Sequence, residues 1–456
     1  MTAVMQPGRL LRLALVVMCG ACATGGGGGA ARVGDVTPSA IPSLEAQKTQ
    51  HPHDANTLAR LGVAYFKAGR YQDARSVLDS AVAYDSSNGI AAIYLGMTAE
   101  QLGDFATARA AYTRYIALPG NDQLKATARQ RLALVGRREL EYQARQALTH
   151  EASLAQMPPE SNTVAVMPFI YTGTDSAIQP LGRGLAQLLV TDLAKSRRIR
   201  VLERERMQAI LDELKLSDSA QTDPTTALRS GHLLQAADVV QGSLTSLPGS
   251  RLRVDAAVVN VASAGVKASA GDLEKLDQIF DLEKTLAFRV FNNLGIQLSP
   301  AEQEAINQRP TENLQAFLAY SRGLQAQDRG DFSAAQADFN QAAVLDPGFQ
   351  AAGQSAASAG QLSAASQQTV GQVATVVSSV ATIQAPPPGG GVTAQQQVLN
   401  DGTNTVNNTT GSETAATTGT TTNAPTTVKN VTAEATGTEG PGPTTGTVVI
   451  IIRRPP

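Results

Sequence analysis

Along the middle of the chain the spacing of apolar positions changes several times, and each change marks an element. Thr163 to Phe169 is an unbroken apolar run, short and rich in β-formers, which predicts a strand covered on both faces. Leu181, Leu185, Leu188, Leu189 and Leu193 then recur at i, i+4, i+7, i+8 and i+12, one face of a helix laid on that strand. Ile199 to Leu202 is a second strand. Met207, Ile210, Leu211 and Leu214 mark a second helix, and Leu228 to Ala236 a third that leads into a strand over Asp238 to Leu247. From Arg251 to Val261 the period drops to two: Leu252, Val254, Ala256 and Val258 share one face, while Arg251, Arg253 and Asp255 share the other. Pro248-Gly249 and Ala264-Gly265 supply the turns of a meander, and Ile279, Leu282, Leu286, Val290 and Leu294 make a closing helix. The predicted order β-α-β-α-α-β-β-β-α describes a mixed-sheet α/β domain over residues 160–298.

Outside this domain the chain repeats itself. Leu61-Gly62 returns as Leu95-Gly96, Gly69-Arg70-Tyr71 as Gly103-Asp104-Phe105, and Ala74 as Ala108, each 34 residues on. Period and pattern resemble the tetratricopeptide repeat, a pair of antiparallel helices. Ala55–Asn88 and Gly89–Asp122 would be two such pairs within a region 51–150, with Gln123 to Leu148 as the helix covering the open end. A third unit, 311–352, carries Gly323, Gly330-Asp331-Phe332, Ala335, Phe339, Ala342 and Asp346-Pro347 at matching offsets. The positions expected to pack are Gly62, Tyr65, Ala74, Gly96, Ala108, Gly323, Ala335 and Pro347. Repeats of this kind serve either as scaffold or as a concave peptide-binding groove.

The two ends have a different character. Arg9 and Arg12 precede the run Leu13 to Met18, too short to span a bilayer and long enough for a secretory signal. Cys19-Gly20-Ala21-Cys22 resembles a bacterial lipoprotein signal, which implies cleavage after residue 21 and acylation of Cys22; an ordinary small-x-small cleavage site is the alternative. Residues 22–50 read as a flexible tether. Residues 360–446, poor in charge and rich in Gln, Thr, Asn and Gly, read as a disordered low-complexity linker, with Val-rich Gln367 to Ile383 as the exception, ordering on contact. Within 447–456, Thr447 to Ile452 is a short β-prone strand ahead of Arg453-Arg454-Pro455-Pro456, and pairs with a sheet edge of its own chain or of another.

Composition narrows the chemistry. Charged residues make up 17% of the 456, aromatics 4%, and the net charge is −2, so no charge excess points to nucleic acid. Both cysteines lie in the leader, which removes disulfides, thiolate nucleophiles and Cys-ligated metals from the rest of the chain. Gly182-Arg183-Gly184 opens a helix but lacks a third Gly at Gln187 and a phosphate-binding Lys, so it reads as close packing. Lys195, Arg197, Arg198, Arg200, Arg204 and Arg206 alternate with Glu203 and Glu205, as a solvated, salt-bridged edge does. His51-Pro52-His53-Asp54 lacks the i, i+4 spacing of a helical metal pair. Neither G-x-S-x-G nor H-E-x-x-H occurs; catalysis, cofactors and metals are not expected.

Four strings in order across the α/β domain carry a second resemblance: Val164-Ala165-Val166-Met167-Pro168-Phe169, Leu181-Gly182-Arg183-Gly184-Leu185-Ala186, Arg200-Val201-Leu202-Glu203-Arg204, and Ala237-Asp238-Val239-Val240-Gln241-Gly242-Ser243-Leu244. Together they look like the CsgG family of curli assembly and transport lipoproteins, with Pro168, Phe169, Gly182, Gly184, Glu203, Arg204 and Gly242 as its motif positions. The resemblance implies a lipid-anchored protein of the outer membrane facing the periplasm. It would be a scaffold in assembly or secretion whose partners are envelope proteins or secreted subunits, with homo-oligomerisation open. The alternatives are a regulator docking on a membrane synthase or flagellar component, and, third, a pore subunit. The pore ranks last because the candidate hairpins have short turns and no long pair of alternating strands of about 9 to 11 residues with an apolar lipid face stands out.

Overall fold

The computed structural model describes residues 30–215, 223–248 and 251–384. The described residues divide into two compact units: one contains residues 30–98 and 374–384, the other residues 99–373. Cys22, the signal segment and Thr447 to Ile452 lie outside the described residues.

The first unit begins with β1 (Ala30–Arg32), α1 (Ile41–Gln50), α2 (Ala55–Lys67), α3 (Tyr71–Tyr84) and most of α4 (Gly89–Gln101). Residues 30–50 are therefore not a tether. Val33, Val36 and Leu44 are buried, and Tyr65 Oη on α2 donates to Glu45 Oε1 on α1 at 2.5 Å. Three apolar anchors are enough to fold a segment whose flanking Gly run suggested slack. Asp54 caps α2 by accepting from Asn56 N–H and Thr57 N–H, so the acid of the His-Pro-His-Asp string is a helix cap.

The second unit continues with α5 (Phe105–Ala117), α6 (Asp122–Thr149), α7 (Glu151–Leu154), β2 (Glu160–Val166), β3 (Ile170–Tyr171), α8 (Leu181–Leu193), β4 (Arg200–Val201), α9 (Arg204–Leu214) and α10 (Pro224–Leu234). It goes on with β5 (Ala236–Leu247), β6 (Arg251–Asn260), β7 (Val266–Lys275), α11 (Ile279–Asn293), α12 (Pro300–Asn307), α13 (Leu314–Asp328), α14 (Phe332–Leu345) and α15 (Gln350–Ser366). Last come α16 (Val370–Val380), which crosses into the first unit, and β8 (Thr382–Gln384), which pairs antiparallel with β1.

The strands make a mixed sheet in the order β4-β2-β5-β6-β7, with β3 also on β5. β2 runs parallel to β4 and β5, and β5, β6 and β7 form the antiparallel meander. This is the predicted fold class: helix pairs, an α/β domain with a mixed sheet, then a further helix pair. Strand β2 stops at Val166 rather than Phe169, because Pro168 has no N–H for a ladder. Helix α10 starts four residues before Leu228, where Asp223 caps it and Pro224 occupies its first position.

Hydrophobic cores lie on both faces of the sheet: Ala165 and Val239, with Met207, Ile210 and Leu211 of α9 and Leu233 of α10, fill one, and the larger core fills the other. It runs without a break from Val164, Leu185 and Val258 through Leu286 and Phe291 to Phe317, Phe339 and Ala359. The third repeat is thus fused to the α/β domain. Helix α6, read as an end cap, instead packs on α5, α9 and α15. Order also extends past Gly360: Ala359, Leu362 and Ala365 carry the buried stripe of α15 onward, and Val370, Val373, Ala374 and Val377 form that of α16. The low charge of this segment came from small apolar residues at helical spacing, which bury well, rather than from a solvated linker.

Candidate interaction surfaces

In the first unit Gly62 on α2 faces Leu78 on α3 so closely that a Cβ at residue 62 would stand 2.4 Å from Leu78 Cγ. Ala74 is fully buried, Gly96 is buried on α4, and Ala108 is buried in the second unit. Gly69, Gly103 and Gly330 each occupy the left-handed region, at φ +73°, +72° and +76°, so all three helix pairs reverse through one turn that suits Gly alone. Tyr65 lies under the Arg70 guanidinium, 4.4 Å from the ring centroid. Burial, then Glu45, pushes its hydroxyl up to about 12.

The segment Ala374–Gln384 reaches this unit from the far end of the chain. Ser378 Oγ lies 2.9 Å from Tyr94 Oη, and Val33 N–H donates to Ala381 O at 3.0 Å. Tyr94 on α4 is fully buried, and its ring meets Phe66 of α2 edge-on at 5.4 Å between centroids.

In the second unit the motif positions fall into two groups. Phe169, Gly182 and Gly242 meet at one point. Phe169 N–H donates to Gly182 O at 3.2 Å, and a Cβ at residue 242 would stand 2.3 Å from the Phe169 ring. Buried Pro168 turns the chain into this contact. Gly184 faces elsewhere: a Cβ there would stand 2.1 Å from Ser321 Oγ and 2.8 Å from Phe317, so its absence lets α13 lie against α8.

Beside that crossing sits Asp328, the last residue of α13. Its carboxylate accepts from Arg183 Nε at 2.9 Å and from Arg204 Nη1. Arg204 is 3% exposed, so it is no part of a solvated edge. Burial alone would lower its pKa, but the charges of Asp328 and Glu205 outweigh that and raise it. Glu203 is exposed and marks the start of α9. Gly323 and Ala335 pack at the α13–α14 contact, where a Cβ at residue 323 would stand 2.5 Å from the Phe339 ring. Pro347, expected to pack, is exposed in the turn after α14; Phe349 fills the core there.

Three groups of buried charge were not visible in the sequence. One is Asp328. A second joins α8 to α11: Asp192 accepts from Lys284 at 2.6 Å and Lys195 at 2.7 Å beside buried Glu283. The third is on α6, where Arg131, 1% exposed, donates through Nε to Glu100 at 3.1 Å and through Nη1 to Ala365 O and Gln368 O at 3.1 and 2.8 Å. Each pairs residues far apart in the chain, so no local spacing announces it.

At the end of the meander, Asp238, Val258, Asn260, Ser263, Lys267 and Asn293 line a cavity of about 360 Å³. Its polar groups already serve one another: Asn260 Nδ2 donates to Asp238 at 2.9 Å and Lys267 Nζ to Asn293 O at 2.7 Å. Among the described residues no group of three or more His, Cys, Asp or Glu could hold a metal ion, and no helix is long and apolar enough to cross a membrane.

Comparison with known proteins decides what this arrangement resembles. Residues 145–271 match the family model for the curli production assembly/transport component CsgG, and residues 59–122 match one for the tetratricopeptide repeat. The chain combines a CsgG region with tetratricopeptide repeats. The CsgG match starts inside α6 and ends in β7, so it takes in both groups of motif glycines. No curated protein matches the chain. Among solved structures, the LpoB C-terminal domain from Salmonella enterica is similar at 12% identity and a TM-score of 0.22, covering 30% of this chain and 95% of that one. The CsgG and repeat regions together suggest a role in the bacterial envelope exercised through protein–protein contacts.

Proposed function

We propose that this protein is a non-catalytic scaffold of the cell envelope. Acylation of Cys22 would anchor it to the outer membrane facing the periplasm, and it would act in the assembly or secretion of cell-surface components. Its partners are envelope proteins or secreted subunits, with no role for nucleic acid. The observation that carries this reading is the shared core of the α/β domain and the third helix pair, closed by Asp328 against Arg183 and Arg204. A helix pair built into the sheet's own core cannot shear away from it, so a partner held on one is positioned relative to the other.

The test is crosslinking in intact envelopes followed by co-purification, with Cys22→Ala alongside. Recovery of envelope or secreted proteins, and transfer of Cys22→Ala to the soluble periplasmic fraction, is the expected result, because loss of acylation removes the apolar anchor. A ring of many copies in detergent would favour a pore. A membrane synthase or flagellar protein as the sole crosslinked species would favour a regulator, and no crosslinked protein at all would overturn the scaffold.

A further inference from the structure

We infer that Ala374–Gln384 is an intramolecular ligand of the N-terminal repeats. It covers a face of α2 and α4 that otherwise takes a helix of small apolar residues from a partner protein. This deepens the scaffold reading and rests on it in treating the repeats as an interaction surface.

The first observation is origin. Ser378 meets Tyr94 across 284 residues of sequence, and β8 meets β1 across the whole described chain, so the segment is not a local part of the helix-pair motif. The repeats' own contacts, α2 on α3 and Phe66 on Tyr94, are made without it.

The second is chemistry. From Gln350 to Asn400 the sequence holds no Asp, Glu, Lys or Arg, so no side-chain ion pair can hold the segment. What it offers is a stripe: Ala374, Val377 and Ala381 are buried at i, i+3 and i+7, and Ser378 presents a hydroxyl to Tyr94. That is how an amphipathic helix lays its apolar side on a receptor, with one polar contact to set its register.

The third is the contrast with the chain just before it. The end of α15 is held by Arg131, a buried cation on the carbonyls of Ala365 and Gln368, where a helix C-terminus favours positive charge. Ala374–Gln384 has backbone pairing at β1–β8 and apolar contact instead; a second helix of the same pattern reproduces the apolar contact, and a strand after it the pairing. Release would uncover Tyr94, whose ring packs on Phe66, an aromatic of the kind that anchors partner proteins.

The experiment uses the full chain and a labelled peptide of its own residues Thr369–Gln384. In the unaltered protein the peptide should not bind, because its site is filled. Val377→Asp places a charge at a fully buried position and should speed amide exchange over Ala374–Ala381 roughly tenfold or more. Peptides from Leu58–Phe66 and Ile90–Thr98 should stay protected, and the variant should capture the labelled peptide, seen as a rise in anisotropy. A labelled peptide carrying the same Val377→Asp change should not bind. Loss of protection in α2 and α4 along with the segment would overturn the inference, since the segment would then be core. So would a freed chain that ignores the peptide. If Val377→Asp fails to fold, Ser378→Ala gives the same readouts in milder form. The measurement needs no envelope partner, so it separates this inference from the scaffold reading: either can fail alone.

Discussion

The second half of α16 and helix α13 both cover other elements with helix, and they do it by opposite means. α13 meets α8 through a glycine crossing, Gly184 against Phe317 and Ser321, and the crossing is closed by Asp328 between two arginines. Ala374–Gln384 meets α2 and α4 with valines, alanines and a hydroxyl, and contains no charge. A buried ion pair adds little net stability over apolar packing, but removing one partner leaves the other stranded, so it makes an interface hard to open partway. An uncharged stripe that leaves for water strands no charge, and its hydrogen-bonding groups are taken over by solvent, so the cost is chiefly its apolar area. The repeat glycines match in both places; what differs is the chemistry of the covering element.

The largest effect should follow from breaking the closed side. Asp328→Ala leaves buried Arg204 with only the exposed Glu205 as counter-charge, and breaking a buried pair typically costs about 3–5 kcal/mol. The α/β domain and the α13–α14 pair should then melt together at lower temperature in calorimetry, because they share one core. Two separate transitions would show the third repeat to be an independent domain after all.

That core was legible only in part. The strand and helix order of the α/β domain could be read from period alone, because Leu181 to Leu193 and Leu252 to Val258 each show one clean face. The repeats could be read from Gly69, Gly103 and Gly330, whose identical backbone conformation leaves the same residue type at the same offset. The fusion of the two was hidden. Arg204 sat in a string of alternating charges and looked solvated, since burial was supplied by Asp328, 124 residues away. Order at residues 30–50 and 360–366 was hidden for the opposite reason, while Val-rich Gln367 to Ile383 stood out as able to order on contact. The two hidden segments have few large apolar residues, and what buries them is contact with distant helices rather than their own hydrophobicity.

A second expectation turns on pH. Glu283 lies fully buried on α11, and Lys284 Nζ, 3.1 Å away on the next residue, is not aimed along a hydrogen bond to it. Burial, then the neighbouring Asp192, pushes its carboxyl up to about 8. The raised value means the folded state binds a proton that the unfolded state, near the ordinary value of about 4.3, has released. Stability from this group is therefore complete below about pH 4 and is lost as pH rises to about 8. Glu283→Gln should flatten that decline in urea titrations of the second unit. Exchange of the Ala374–Ala381 amides, corrected for intrinsic rates, should show no such pH dependence, since that segment carries nothing that titrates. A decline equally steep in Glu283→Gln would show that it does not originate at Glu283.

The smallest effect tests the open side at the hydrogen bond between Tyr94 and Ser378. Tyr94→Phe keeps the ring that packs on Phe66 and deletes only the hydroxyl facing Ser378. The net worth of such a bond is about 0.5–1.5 kcal/mol, and Ser378 has a short way to water if the segment lifts, so the lower end is expected. Global melting should barely move. Exchange over Ala374–Ala381 should rise by a few-fold, because a contribution of this size acts on local opening and not on the unfolding of the whole unit. A shift in melting as large as that of Asp328→Ala would mean that the segment and the repeats unfold as one, and the distinction between a closed and a releasable cover would collapse.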